Sequence, residues 1–202
     1  GCCGALAMHL GADAQARALA RKLLGAVGDV AADWVVSTAA GCGALLREYD
    51  HLLADDPRAA ALARRAIDPV ALLDDLGLPA PALALPARVA IHDPCHLLHG
   101  QGVDGAVRRL IGAIPGLGLV PLAESDRCCA RARTYHLTER GMAPPLLARK
   151  LDRIEESGAG IVAAANPGCL LQIRAGAIAR GLAVEIEHPI DVLARAHGIT
   201  GS

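Results

Sequence analysis

The sequence predicts an α/β protein of two similar halves, each a small, mainly parallel sheet with flanking helices, the first half truncated at its N-terminus. Three observations carry that expectation. Short apolar runs such as Trp34-Val-Val and Gly160-Ile-Val-Ala-Ala-Ala165 alternate with longer stretches that carry helix start and stop signals. Hydrophobic residues make up 53% of the 202 positions and charged residues 20%, enough apolar side chain to bury a core. The order of apolar run, single cysteine and helix occurs twice.

Taken in order, Leu6, Leu10, Leu19 and Leu23 give partial helical spacing, and the spacing predicts a helix from about Ala5 to Leu24, stopped by Gly25 and Gly28. Trp34 to Ser37 reads as a short buried strand. Gly41-Cys42-Gly43 turns the chain into a helix over about Ala44 to Ala54. Asp56-Pro57 and Asp68-Pro69 each start a helix, with Asp as cap and Pro in the first helical position, and Gly77 then Pro79 end the second. Arg88 to Ile91 is a strand, Val103 to Ile114 a helix, and Leu117 to Leu122 a strand that delivers Cys128-Cys129. Pro144-Pro145 opens a helix with Leu147, Leu151 and Ile154 on one face, closed by Gly158. A strand over Gly160–Ala165 leads into Asn166-Pro-Gly-Cys169 and a helix to about Arg180. Val184 to Ile186 is the last strand, and His188-Pro189 starts the last helix, which ends at Gly198.

The repeat sets the domain boundaries. Cys2-Cys3 matches Cys128-Cys129, and Cys42 matches Cys169; the separations are 39 positions from Cys3 to Cys42 and 40 from Cys129 to Cys169. Arg47 and Arg174 fall at the same offset after each single cysteine. Residues 1–77 therefore read as a partial first repeat and 88–202 as a complete second one. Between them, 78–87 holds Pro79, Pro81 and Pro86 without a charge, the composition of a semi-rigid linker. The second repeat has Cys95 ahead of its Cys-Cys pair, where the first has only Gly1. The expectation is a piece of a longer protein whose missing fourth cysteine lies upstream.

Composition excludes several classes of partner. The net charge is −1, from 20 basic and 21 acidic side chains, which leaves no electrostatic footprint for nucleic acid or anionic lipid. Aromatics are 1%, too few for base-stacking platforms. No apolar run reaches the roughly 20 residues a transmembrane helix needs. There is no glycine-rich nucleotide loop of either common type.

The seven cysteines are an odd number without a secretory signal, which argues for metal or redox use rather than a disulfide framework. Adjacent Cα atoms stand about 3.8 Å apart, whereas a relaxed disulfide needs roughly 4.4 Å or more, so neither Cys-Cys pair is suited to closing on itself. Each pair is better suited to offering two thiolates to one soft centre. Cys95, Cys128, Cys129 and Cys169 make a set of four; Cys2, Cys3 and Cys42 make three of a second. Their long spacings lack the short knuckles of small zinc domains and suit an iron–sulfur cluster or, alternatively, a tetrahedral zinc.

The chain resembles the cysteine-rich CCG domain family, on Gly1-Cys-Cys-Gly-Ala-Leu6, His92-Asp-Pro-Cys-His-Leu97, Glu124-Ser-Asp-Arg-Cys-Cys129 with Thr134-Tyr135, and Asn166-Pro-Gly-Cys-Leu-Leu-Gln-Ile173. That family includes the CCG-bearing component of heterodisulfide reductase, lactate-utilisation iron–sulfur proteins and the glycolate oxidase iron–sulfur subunit, whose C-terminal part is the nearest likeness. The resemblance implies an electron-transfer fragment with an iron–sulfur cluster, [4Fe–4S] in type, bound by Cys2, Cys3, Cys42, Cys95, Cys128, Cys129 and Cys169. It implies flavoprotein dehydrogenase subunits that oxidise a 2-hydroxy acid, a ferredoxin-like domain upstream in the same chain, and a cytoplasmic place, peripheral at the inner face of the membrane through partners. Two departures stand out. Asn166 and Ala39 occupy positions where heterodisulfide reductase has the first cysteine of a C-x-x-C pair, which argues against disulfide-reducing chemistry. Ala130, Arg131 and Arg133 replace a Gly-Ser-Ala-Gly stretch, which restricts a loop that needs positive φ.

Among other residues, His92, His96 and His99 flank Cys95 as candidate ligands or proton relays, against the plainer reading of packing and capping. His9 and His136 are candidate supports of the thiolates, Asp93 a candidate cap, and Arg47 and Arg174 candidate counter-charges. Glu155-Glu156 and Asp74-Asp75 read as solvated helix ends.

Overall fold

A computed structural model describes residues 1–103, 105–131 and 141–199. The chain divides into two compact units, Gly1–Pro69 and Val70–Ser202. The division falls at the start of a helix, ahead of the proline-rich 78–87 segment.

The first unit contains α1 (Ala5–His9), α2 (Asp13–Val27), β1 (Val35–Val36), α3 (Ala40–Leu46), α4 (Tyr49–Leu52), α5 (Pro57–Arg65) and β2 (Ala66–Ile67). Strands β1 and β2 pair in parallel, Val35 with Ala66 and Val36 with Ile67. The helices enclose a core of Ala20, Leu24, Leu45, Tyr49, Leu53 and Leu62. The single helix expected over Ala5–Leu24 is two helices, because Gly11 takes a left-handed φ of 76° and turns the chain between them. The helix expected from Ala44 starts earlier, at Ala40, and breaks after Leu46. Gly41 and Gly43 favour a turn on propensity alone, but burial of Ala40, Gly43, Ala44 and Leu45 overrides it. Asp56 does cap α5: its side chain accepts the Arg58 N–H at 3.0 Å, and Pro57 follows at the first helical position.

In the second unit, α6 (Pro69–Asp75) is followed by β3 (Arg88–His92), α7 (Cys95–Gln101), α8 (Gly105–Gly112), β4 (Gly118–Leu119), α9 (Ala143–Ser157), β5 (Ile161–Ala164), α10 (Pro167–Arg180), β6 (Glu185–Glu187) and α11 (Pro189–Ala196). The sheet runs in the order β4-β3-β5-β6, and every pairing is parallel. Central strands β3 and β5 pair from Val89–Ile161 to His92–Ala164. Both are covered on two faces, so they read as continuous apolar runs rather than alternating ones. The strand expected over Leu117–Leu122 pairs only at Gly118 and Leu119. Pro121 has no N–H to offer a longer ladder. The α/β class, with two parallel sheets flanked by helices, is therefore as the sequence predicts. Among the described residues no helix is long and apolar enough to cross a membrane.

Candidate functional site

In a parallel sheet the crevice for ligands opens at the C-terminal strand ends, where the strand order reverses. Here the chain leaves central β3 for β4 on one side and returns to β5 on the other, so the reversal lies between β3 and β5. Cys95 is the first residue of α7, just after β3, and Cys169 is the third residue of α10, just after β5. The long loop after β4 carries Cys128 and Cys129. Three separate connections thus bring thiols to the same end of the sheet.

Cys129 and Cys169 are buried and their sulfurs lie 3.1 Å apart, too far for a disulfide bond. The Cys129 thiol donates toward Cys169, and Asn166 Nδ2 approaches the same sulfur at 3.5 Å. These two contacts outweigh burial and hold the Cys169 thiol below its ordinary value, although the charges of Cys95 and Cys128 oppose this. Asn166, standing where the heterodisulfide reductase pattern has a cysteine, therefore serves Cys169 as a hydrogen-bond donor. Cys95 and Cys128 are half-buried, and Cys95 Sγ lies 3.5 Å from His96 Nδ1. Burial, together with the neighbouring Cys128, pushes the Cys95 thiol up.

His92, at the end of β3, is 1% exposed. One of its ring nitrogens and the sulfurs of Cys129 and Cys169 lie within 4.8 Å of one another. Its Nδ1 sits 2.9 Å from the Ser125 carbonyl. That carbonyl also accepts the Asp93 N–H at 3.1 Å and approaches Lys150 Nζ at 3.4 Å. Lys150, 2% exposed, donates to the Glu124 carbonyl as well. Asp93 does not cap α7, whose N-cap is Pro94. Its carboxylate instead pairs with Arg108 at 2.7 Å and accepts the Ser125 hydroxyl at 2.7 Å. Burial raises the Asp93 carboxyl, but these donors outweigh it and leave it below the ordinary range. Ser125, Lys150 and Asp93 are not legible as site residues in the sequence, because their partners lie across the fold.

The cysteine loop is backbone-constrained at both ends. Glu124 has φ 55° and Ala130 φ 67°, left-handed values uncommon for residues with a Cβ. Ala130 is thus held in the conformation that makes glycine the easier residue there, and it is fully buried. Arg133, Thr134, Tyr135 and His136 lie outside the described residues.

Glu124 faces Arg149 at 2.5 Å, Arg127 at 3.0 Å and Arg153 at 4.0 Å. The hydrogen bond from Arg149, with the charges of all three arginines, brings its carboxyl down to about 2. A depressed carboxyl stabilises the fold above its unfolded value and loses that contribution as the pH falls through its folded value. The expected result is a loop titration with its midpoint near 2 rather than near the ordinary 4.5, read from the Glu124 side-chain carboxyl resonance. A midpoint at the ordinary value would show the arginines to be disengaged.

In the first unit, Cys3 is buried, Cys42 half-buried and Cys2 exposed. The Cys42 thiol hydrogen-bonds Cys3, which brings Cys3 down to about 6 and drives Cys42 itself upward. The Ala5 N–H approaches Cys3 Sγ at 3.5 Å, and the Tyr49 hydroxyl donates to the Cys3 carbonyl at 2.7 Å. Gly4, with φ 90°, lets this corner pass the Ala16 carbonyl, which an added Cβ would meet at 2.7 Å. Arg174 donates to the Ile186 carbonyl, tying α10 to β6. Asp74 pairs with Arg109 and Glu156 with Arg153, so these acids are ion-pair partners.

Thiols gathered at the switch point of a parallel sheet define a cysteine-rich α/β protein with a soft, thiolate-rich candidate centre. Residues 1–47 and 89–174 match the CCG cysteine-rich domain, and the chain belongs to that family. It is 36% identical over 205 residues to the probable glycolate oxidase iron-sulfur subunit of Bacillus subtilis (strain 168), covering 98% of this chain and 46% of that protein. It is 34% identical over 176 residues to the glycolate oxidase iron-sulfur subunit of Escherichia coli (strain K12), covering 84% of this chain and 43% of that one. Lactate utilization protein A of Geobacillus kaustophilus (strain HTA426) is 32% identical over 198 residues, covering 95% of this chain and 82% of that protein. The chain thus spans less than half the length of the two glycolate oxidase subunits.

Proposed function

We propose that this chain is part of an iron–sulfur electron-transfer subunit of a flavin-dependent oxidoreductase acting on a 2-hydroxy acid of the glycolate or lactate type. In this reading Cys95, Cys128, Cys129 and Cys169 hold an iron–sulfur cluster, [4Fe–4S] in type, and Cys2, Cys3 and Cys42 supply part of the ligand set of a second. The observation that carries it is the buried approach of the Cys129 and Cys169 sulfurs, 3.1 Å apart at the switch point. The donor set fits: soft sulfur atoms, and a buried histidine nitrogen with no hydrogen-bond partner among the described residues. The names of the relatives support the cofactor and the substrate class.

The cluster, when bound, takes up and passes on single electrons. The chain's own part is to hold the thiolates and keep water away, with Asn166 directing an N–H at a ligand sulfur. Hydrogen bonds to sulfur and burial are the levers that tune such a centre. The partners in this reading are flavoprotein dehydrogenase subunits and a ferredoxin-like domain earlier in the same chain. The place is the cytoplasm, at the inner membrane face through those partners.

Anaerobic reconstitution of the chain with iron and sulfide tests the reading. The expected result is a brown protein with iron and acid-labile sulfide in comparable amounts. Stoichiometric zinc without sulfide would select the structural zinc module instead. Disulfide-dependent turnover would select thiol–disulfide catalysis.

A further inference from the structure

Resting on that reading, we propose that Nε2 of His92 is itself a ligand of the centre, in place of one of the two half-buried cysteines, Cys95 or Cys128, which makes it a mixed thiolate–imidazole site rather than a purely cysteine-bound one. Nδ1 lies 2.9 Å from the Ser125 carbonyl oxygen, and a carbonyl can only accept, so Nδ1 carries the proton. In the neutral ring the lone pair is then on Nε2. That atom is buried and has no hydrogen-bond partner among the described residues, on a side chain that is 1% exposed.

A buried acceptor left without a donor is costly, and native structures rarely keep one without a use. The sulfurs of Cys129 and Cys169 and a ring nitrogen of His92 all lie within 4.8 Å of one another. With Nδ1 committed to Ser125, Nε2 is the nitrogen free to meet what those sulfurs hold. Neither thiol satisfies it; the Cys129 thiol points to Cys169. An imidazole that donates one N–H to a backbone carbonyl and presents the other nitrogen is the arrangement of a metal-binding histidine.

The orientation is enforced from outside the ring. Ser125 O is fixed by the Asp93 N–H and by Lys150, and the Ser125 side chain by Asp93, which Arg108 holds in turn. His92 closes strand β3, paired with Ala164 of β5, so its backbone cannot swing away. His96, by contrast, stands on the half-exposed side next to Cys95.

The test uses the whole chain, labelled with ¹⁵N-histidine, reconstituted anaerobically with iron and sulfide, and brought to its paramagnetic state. Pulsed electron paramagnetic resonance is expected to show one histidine nitrogen coupled strongly enough to be bonded to iron. His92→Ala is expected to abolish that coupling while iron stays bound. His92→Cys is expected to retain the cluster and lower its potential, since thiolate donates more charge than imidazole. A cluster with no strongly coupled histidine nitrogen in the unsubstituted protein overturns the proposal, whatever the variants do. If no iron or sulfide is taken up, the iron–sulfur reading fails separately, and cobalt(II) alone then probes the ligand. At least a tenfold weaker cobalt affinity in His92→Ala supports ligation by His92, and equal affinity overturns it.

Discussion

Cys169→Ser is expected to empty the second-unit centre. Cys169 is the point where the site's supports converge: its sulfur lies 3.1 Å from that of Cys129, it receives the Asn166 N–H, and it sits in the first turn of α10. Serine keeps the shape but replaces a soft, low-lying thiol with a hard hydroxyl that stays protonated, which a soft centre binds poorly. Loss of a single supporting hydrogen bond around a metal typically costs 10–100-fold in affinity, so loss of the ligand itself is expected to cost at least on the order of 100-fold. The measurement is iron and sulfide content after reconstitution, beside the far-ultraviolet circular dichroism of the metal-free protein. The dichroism should be unchanged, because Cys169 adds little to a core built on Ile173, Val162 and Leu151. Full iron content in the variant would reduce Cys169 to a small buried hydrophobe, the plainest account of any cysteine in a core.

The sequence carries the site as a set of cysteines before any fold can place them. The Cys-Cys pairs and the matched separations to Cys42 and Cys169 are local facts. So are the proline and glycine signals that open α5, α9, α10 and α11, and those helices begin close to where the signals fall. Two kinds of feature cannot be read this way. Strand β2 is two residues long, too short for any periodicity to register. Helix α3 begins on Ala40-Gly-Cys-Gly, where propensity favours a turn and only tertiary burial makes a helix. Within the site, His92 is legible as a histidine near Cys95 but not as the one facing the thiols. Its neighbours depend on the register of β3 against β5 and on a loop that returns Ser125 to the strand end. The same holds for Lys150, whose helical spacing places it on α9 without saying what it meets.

Lys150→Met is expected to loosen the cysteine loop while leaving the sheet in place. The ammonium is buried, which lowers its pKa, yet Cys129, Asp126, Glu124 and Asp93 all favour its charged form. It donates to the carbonyls of Glu124 and Ser125. Methionine fills much the same volume and removes the cost of burying a charge, but it leaves the Glu124 carbonyl without that donor. Glu124 is also a non-glycine residue in the left-handed region, a conformation that persists only where its surroundings impose it. Ser125 keeps two other donors, His92 Nδ1 and the Asp93 N–H, so that corner should hold. A hydrogen bond to a charged group is worth roughly 1.5–3 kcal/mol, and part of it is returned by the relieved desolvation. The net loss expected in denaturant unfolding is therefore about 1–2 kcal/mol. The loss of metal affinity should be larger in proportion, about 10–100-fold, because the loop aims Cys128 and Cys129. Lys150→Arg supplies the control: it keeps a cation but replaces the compact ammonium with a planar guanidinium, so only partial recovery is expected. Equal stability and equal metal uptake in Lys150→Met would mean that the Arg127 N–H, which also donates to the Glu124 carbonyl at 3.0 Å, suffices there, and that the loop is set by Glu124 and its arginines alone.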